Sequence, residues 1–194
     1  MAGMVIIGAG HAAGQAAASL RQEKYTGPIT IIGDEEHVPY QRPPLSKAYL
    51  SGAQEVDRVY LRPEKFYQDK DIELKLATRA TAIDADAKTV ELEDGTKIEY
   101  EKLLISTGSR PRMLSIPGSD LGGIHYLRTI DDVNGIRAEM REGANLVIVG
   151  GGYIGLEVAA VGIEQGLNVH VLEMEDRILQ RVTTPTMSNY YDEL

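Results

Sequence analysis

Twice along the chain a short apolar run ends in a glycine-rich turn that opens into a helix and is answered, one strand later, by an acid. The first copy is Met4 to Asp34, MVIIGAGHAAGQAAASLRQEKYTGPITIIGD. Met4-Val5-Ile6-Ile7 is partly β-branched and does not alternate, the pattern of a parallel strand buried on both faces. Gly8 and Gly10 follow at once, then an Ala-rich helix predicted from about Ala12 to Glu23. The turn therefore leads into a helix N-terminus, whose unpaired N–H groups and dipole suit a pyrophosphate. Gly8 permits the tight turn, Gly10 removes a Cβ from the phosphate's path, and Ala13 is the third small position, where helix packs on strand. Gly27-Pro28 breaks the chain before a second buried strand, Ile29 to Ile32, with Asp34 and Glu35 at its carboxyl end. Asp34 follows Gly8 by 26 positions, near the roughly 20 expected between such a turn and a ribose-binding carboxylate.

The second copy begins with the strand Leu146 to Val149 and the turn Gly150-Gly151-Gly152-Tyr153-Ile154-Gly155. A helix runs through Leu156, Val158 and Ala160 to Gly166, and Val169 to Leu172 is a strand ending in Glu173, 23 positions after Gly150. Either turn alone could be a plain connection. Strand before, helix after and acid beyond, found twice, imply two dinucleotide sites and an α/β chain with two Rossmann-like nucleotide-binding domains.

Composition is permissive about fold and restrictive about partners. With 194 residues, 43% hydrophobic and 25% charged, the chain can bury one good-sized core or two small ones. A net charge of −9 disfavours a nucleic-acid partner. No run reaches the length of a membrane span, and Met1 to Ser19 has no basic front region and is interrupted by glycines. Neither a membrane partner nor a signal peptide is expected, and the location expected is cytoplasmic. Cysteine is absent, which leaves no disulfide framework, thiolate metal site or redox-active cysteine pair in these residues. His11, His37, His125 and His170 show no ligand spacing, so no metal site is expected.

Between the two glycine units, His37 to Lys47 carries three prolines and leaves the carboxyl end of the second strand. Such a stiff loop either connects two elements or aims Arg42 and Lys47 at a ligand without a large ordering cost. A short helix is expected from Arg62-Pro63 through Gln68, and a strand over Ile72 to Leu76. Ala80 to Ile83, Thr89 to Leu92 and Lys97 to Tyr100 read as a small antiparallel β-meander with Asp94-Gly95 as a hairpin turn, expected to lie over the crossover of the first domain. Lys102 to Ser106 is a further apolar strand, closed by Thr107-Gly108, which taken alone reads as a turn and whose backbone also lets a flavin or its phosphates come close. Pro111 to Gly118 marks a boundary between domains 1–112 and 113–194. Beyond it come a short strand over His125 to Thr129 and a charged helix from Ile130 to Arg141. Past Glu173 the chain carries Arg177 and Arg181, then a helical pattern from Thr184-Pro185 to Leu194. A second sheet with two strands is expected to leave one face uncovered.

Gly8-Ala-Gly10, Pro39-Tyr-Gln-Arg42-Pro-Pro-Leu-Ser-Lys47, Ser106-Thr-Gly108, His125-Tyr-Leu-Arg128-Thr129 and Gly150-Gly-Gly-Tyr-Ile-Gly155-Leu-Glu157 together resemble the NADH-dependent ferredoxin reductases of bacterial oxygenase systems. These belong to the FAD-dependent pyridine nucleotide-disulfide oxidoreductase superfamily. The proline loop and the Gly-Tyr-Ile-Gly-x-Glu segment are the specific part of the likeness. Ala13 stands where many members have glycine, a change the fingerprint tolerates. Members also continue well past residue 194, completing the NAD domain, returning to the FAD domain and adding a C-terminal domain. The resemblance thus implies a glutathione-reductase-like fold, incomplete at its C-terminus, of which this chain is an N-terminal portion: an FAD-binding domain over 1–112 and an incomplete NAD(H)-binding domain over 113–194.

Carried onto matching residues, the resemblance places Gly8, Gly10, Ala12 and Ala13 under the FAD pyrophosphate and Asp34 or Glu35 on the adenosine ribose. Arg42, Lys47, Ala80, Thr107, Gly108 and Arg128 would line the rest of the flavin site. Gly150, Gly152, Ile154 and Gly155 would hold the NADH pyrophosphate and Glu173 the adenine ribose. A carboxylate there accepts from a free 2′-hydroxyl and repels a 2′-phosphate, favouring NADH over NADPH; Arg181, with Arg177, would offer a cation nearby. Lys47 and Glu157 are implied as an ion pair beside flavin N5, with a plain salt bridge as the alternative. The implied activity takes a hydride from NADH onto FAD and passes single electrons to a [2Fe–2S] ferredoxin serving a P450 or dioxygenase. Two alternatives stand beside it: a same-fold NADH oxidoreductase using rubredoxin, oxygen or a small quinone-like acceptor, and a non-catalytic nucleotide-binding fragment. The sequence does not set the oligomeric state.

Overall fold

The computed structural model describes residues 2–193. They form two compact units, Met1–Arg42 with Val56–Arg110 and Pro43–Glu55 with Pro111–Leu194.

The first unit runs β1 (Gly3–Ile7), α1 (His11–Gln22), β2 (Ile29–Ile32), α2 (Val56–Val59), α3 (Glu64–Asp69), β3 (Ile72–Lys75), β4 (Ala80–Asp84), β5 (Thr89–Leu92) and β6 (Lys97–Ile105). One six-stranded sheet takes the order β3-β2-β1-β6-β5-β4, parallel from β3 to β6 and antiparallel from β6 to β4. Successive strand residues point to opposite faces, and here both faces are covered. Ile6, Ile29 and Ile31 pack against Ala13 and Ala17 of α1. Small residues on that side of the helix let it lie close to the sheet. Val5, Ile7 and Ile32 face the other way, against Val90, Leu92 and Tyr100.

That packing corrects two expectations. The meander does not lie over the crossover helix; it covers the sheet face that α1 leaves bare. A right-handed crossover puts its helix on one side only, so the alternating apolar residues of β5 are drawn to the other. Nor are residues 97–100 and 102–106 separate strands. Gly3 pairs with Tyr100 and Met4 with Lys102, so Glu101 is an extra residue in a bulge within one continuous strand. The first part of β6 pairs with β5, and the part from Tyr100 onward with β1. A bulge of this kind bends a strand and increases its twist. The Asp94-Gly95 turn forms as expected, with Gly95 at φ +83° and the Asp94 carboxylate accepting from Thr96 N–H at 2.9 Å.

The second unit holds a 3-10 turn (Pro43–Ser46), then α4 (Ile130–Glu139), β7 (Asn145–Val149), α5 (Tyr153–Glu164), β8 (Asn168–Leu172) and α6 (Pro185–Asp192). Strands β7 and β8 are a parallel pair with Val147 opposite His170 and Val149 opposite Leu172. Helix α5 covers one face so closely that a Cβ on Gly162 would meet Leu146 and Val169 at 2.9 Å. The other face is uncovered: Val147, Val149 and Leu172 are 55%, 68% and 56% exposed.

Residues 125–129 form no strand, contrary to the sequence expectation. Their backbone is taken up by the cap of α4 instead. The Asp132 carboxylate accepts from the N–H groups of Arg128 and Thr129 at 3.0 and 2.7 Å, and Thr129 Oγ1 accepts from Asp132 N–H. Residues 43–55 join this unit through side chains. Tyr49 donates to Asn134 at 2.8 Å, the Arg137 guanidinium lies over the Tyr49 ring, and Gln165 donates to the Ser51 carbonyl at 3.2 Å. Among the described residues, no helix is long and apolar enough to cross a membrane.

Candidate functional site

In the first unit three strand ends converge on one turn. Gly8 N–H donates to Ile32 O and Ser106 N–H to Ile7 O, each at 2.8 Å, so the exits of β1, β2 and β6 are tied side by side. Gly8 has φ +104°, and a Cβ there would stand 2.3 Å from Ser106 O and 2.9 Å from Thr107 Cα. This glycine is required by the protein itself, and it lies against Ser106 and Thr107, with Gly108 next in the chain at φ +69°. Gly10 is different. It precedes α1 with φ −89°, which any residue adopts, caps the helix with no side chain, and a Cβ on it would meet no atom within 4 Å. Nothing in the chain's own packing demands glycine there, whereas a phosphate approaching the first N–H groups of α1 does.

Around this edge the predicted residues take distinct positions. Ala13 is fully buried under the helix, whereas Ala12 is exposed at its start. Asp34 is exposed and pairs with Arg110 at 3.2 Å. Glu35 is engaged more closely: Arg42 Nη2 lies 2.6 Å from its Oε1, and Tyr40 donates to Oε2. The Arg42 guanidinium also stacks over the Tyr40 ring, 4.5 Å from its centroid. Of the two acids, Asp34 is therefore the more accessible. Ala80 opens β4 and packs against the cluster of Val5, Val90 and Leu92.

The second unit repeats the device. Gly150 has φ +114°, and Gly152, at the N-cap of α5 with φ −84°, again has no atom within 4 Å of a would-be Cβ. Gly155 is packed hard against the turn, where a Cβ would stand 2.1 Å from Gly150 O. Ile154 is exposed on the first turn of α5. Glu173, just past β8, folds back onto the glycines: its Oε2 accepts from Gly151 N–H at 2.7 Å, and its Oε1 from Met174 and Glu175 N–H at 2.7 and 2.9 Å. Hydrogen bonds from the Glu175 and Gly151 backbone hold its carboxyl below the ordinary value. Arg181 pairs with Glu175 at 3.2 Å. Arg177 is taken up by the loop, donating to Ser188 Oγ and to the carbonyls of Gln180 and Thr183. Arg128 stands beside the α4 cap described above.

Lys47 and Glu157 meet within this same unit, Nζ to Oε2 at 2.8 Å. Ser46, which the sequence does not single out, donates to the same oxygen at 2.5 Å. Burial pushes the Glu157 carboxyl up, but the hydrogen bonds from Lys47 and Ser46 and the lysine charge outweigh it, leaving the group below its ordinary value. Tyr40 and Arg110 are likewise partners that sequence reasoning missed. Nothing in spacing could find them, because each depends on a turn bringing side chains together.

The fit to a dinucleotide is thus the same in both units. In each a helix N-terminus meets a glycine with open space where a Cβ would stand, with a carboxylate at the end of the next strand.

A sequence model described as pyridine nucleotide-disulphide oxidoreductase matches residues 3–194. The chain is 46% identical over 188 residues to rhodocoxin reductase of Rhodococcus erythropolis, covering 97% of this chain and 44% of that protein. To rubredoxin-NAD(+) reductase of Pseudomonas putida it is 42% identical over 186 residues, covering 96% and 48%. The crystal structure of the ferredoxin reductase for the CYP199A2 system from Rhodopseudomonas palustris superposes with a TM-score of 0.92 at 46% identity, over 98% of this chain and 47% of that one. The chain spans about half the length of the curated relatives it matches.

Proposed function

The chain belongs to the pyridine nucleotide-disulphide oxidoreductase family, and from that premise we propose that it is the FAD- and NADH-binding part of an NADH:ferredoxin oxidoreductase. On this reading residues 1–112 serve FAD and residues 113–194 serve NAD(H). The acceptor is a [2Fe–2S] ferredoxin of a P450 or dioxygenase system, and the enzyme works in the cytoplasm. The observation that carries the reading is the paired glycine turn, in which Gly10 and Gly152 each leave open space at a helix N-terminus.

When bound, FAD supplies the redox chemistry, accepting a hydride from NADH and releasing electrons singly. The residues of this chain bind and orient. The N–H groups opening α1 and α5 hold the two pyrophosphates, and Gly10 and Gly152 admit them. Asp34, more accessible than Glu35, accepts from the ribose of the first nucleotide, and Arg42 is oriented by Glu35 and Tyr40 beside it. Glu173 accepts from the ribose of the second and disfavours a 2′-phosphate. Lys47 and Glu157 are assigned to the reactive edge of the flavin as a charge pair. The 194 residues contain no cysteine, so no disulfide relay resides in them.

The test is flavin retention. Gly10→Val in the full-length protein is expected to abolish the visible flavin absorbance of the purified protein while leaving far-UV circular dichroism intact; normal absorbance would overturn the assignment. A second acceptor reading has support in the similarity to a rubredoxin-NAD(+) reductase. Reduction of a ferredoxin and of a rubredoxin by the same preparation, with NADH as donor, separates the two.

A further inference from the structure

Ser46 is 4% exposed and closes the 3-10 turn Pro43–Ser46. Its hydroxyl donates to Glu157 Oε2 at 2.5 Å, the oxygen that Lys47 Nζ approaches at 2.8 Å. The two donors differ in stiffness. The Lys47 side chain is 50% exposed, and its Nζ also reaches toward Pro43 O at 3.4 Å. An ion pair so exposed holds its partner by only about 0–1 kcal/mol, and a four-carbon stem does not fix a direction. Ser46 has one side-chain rotor, is buried, and sits in a turn whose φ angles Pro43 and Pro44 restrict. A charge-assisted O–H···O⁻ bond is also the shorter and stronger kind. The rigid end of the triad is therefore the serine.

We propose that Ser46 is the positioning residue of the Lys47–Glu157 pair, pinning Glu157 Oε2 to the proline turn and thereby fixing where the Lys47 ammonium rests. Both donors use one oxygen. Among the described residues Glu157 Oε1 accepts no hydrogen bond, and Lys47 is the charged group that faces this carboxylate. The pair is consequently held on one side, with the Lys47 side chain half exposed on the other. Its use in hydride delivery rests on the flavin reading above; the positioning itself rests on the ligand-free geometry.

Two measurements test it. The side-chain carboxyl of Glu157 is titrated by carbon NMR in the flavin-free form of the full-length protein, assigned by Glu157→Gln. Ser46→Ala, which only removes an atom, is expected to raise the Glu157 midpoint, because a hydrogen bond to the charged carboxylate is lost. Restoring the hydroxyl with Ser46→Thr is expected to lower it again. An unchanged midpoint in a folded Ser46→Ala chain overturns the proposal, whatever the protein's activity. In the full-length flavoprotein, stopped-flow reduction by NADH is compared in Ser46→Ala, Lys47→Met and the double variant. Because Ser46 acts through Lys47, the double variant is expected to be no slower than Lys47→Met alone; additive losses overturn it. A shifted midpoint with unaltered reduction in all three variants upholds the positioning and removes the pair from hydride delivery.

Discussion

Glu173 does two jobs with one carboxylate. Its oxygens accept from three backbone N–H groups of its own chain, which lashes the glycine turn to the end of β8, and the proposed function gives the same charge the task of discriminating between nucleotides. The second job predicts that Glu173→Ala narrows the NADH-over-NADPH ratio of kcat/KM by about tenfold or more, as expected when a like-charge repulsion is lost; paired steady-state assays measure it. The first job gives a pH signature. Hydrogen bonding holds the folded carboxyl below the ordinary 4.5. The stability it contributes is therefore present above that ordinary value and disappears as pH falls through the lowered one. The urea-midpoint difference between the native chain and Glu173→Gln is expected to be constant near neutrality and to shrink below about pH 4.

At the scale of elements, Arg21 shows how a connection is fixed without secondary structure. From the last turn of α1 its guanidinium donates to the carbonyls of Tyr25, Gly27, Lys70 and Asp71 at 2.7 to 2.8 Å. It thus joins the α1–β2 loop to the turn between α3 and β3. A lysine offers no planar fork of donors, so Arg21→Lys is expected to cost about 2 kcal/mol, read from urea unfolding with an unchanged m-value. The strand–turn–helix units were legible because burial on two faces leaves an unbroken apolar run, as in Ile29 to Ile32, and because glycine punctuates sharply. The join at Glu101 was not. A charged pair, Glu101-Lys102, looks like a break, yet a bulge tolerates it. His125 to Thr129 has a strand's composition, but a strand needs a partner to pair with, and the Asp132 carboxylate took the backbone donors first. Of the candidate site, the glycines and the acids could be read from spacing and the Lys47–Glu157 contact only through the family resemblance, whereas Ser46, Tyr40 and Arg110 emerge only from tertiary geometry.

At the scale of the whole molecule, the bare side of the β7–β8 pair departs from a closed core. Val149 is 68% exposed there, and exposed apolar patches promote self-association. Val149→Lys is expected to leave the melting temperature of the 194-residue chain nearly unchanged and to reduce its concentration-dependent light scattering. Nothing in the sequence announces that residues 43–55 group with the second unit, since a proline-rich stretch has no periodicity to read. Its allegiance is set by contacts to α4 and α5 that are 85 to 114 positions away in the chain.

Because the polypeptide passes from one unit to the other after Arg42, Glu55 and Arg110, no single cut separates them. A gene fusion that grafted residues 111 onward to a foreign N-terminal half would leave Glu157 and Asn134 behind without Ser46, Lys47 and Tyr49. The short insert and the distal segment therefore pack as one module despite lying far apart in the reading frame.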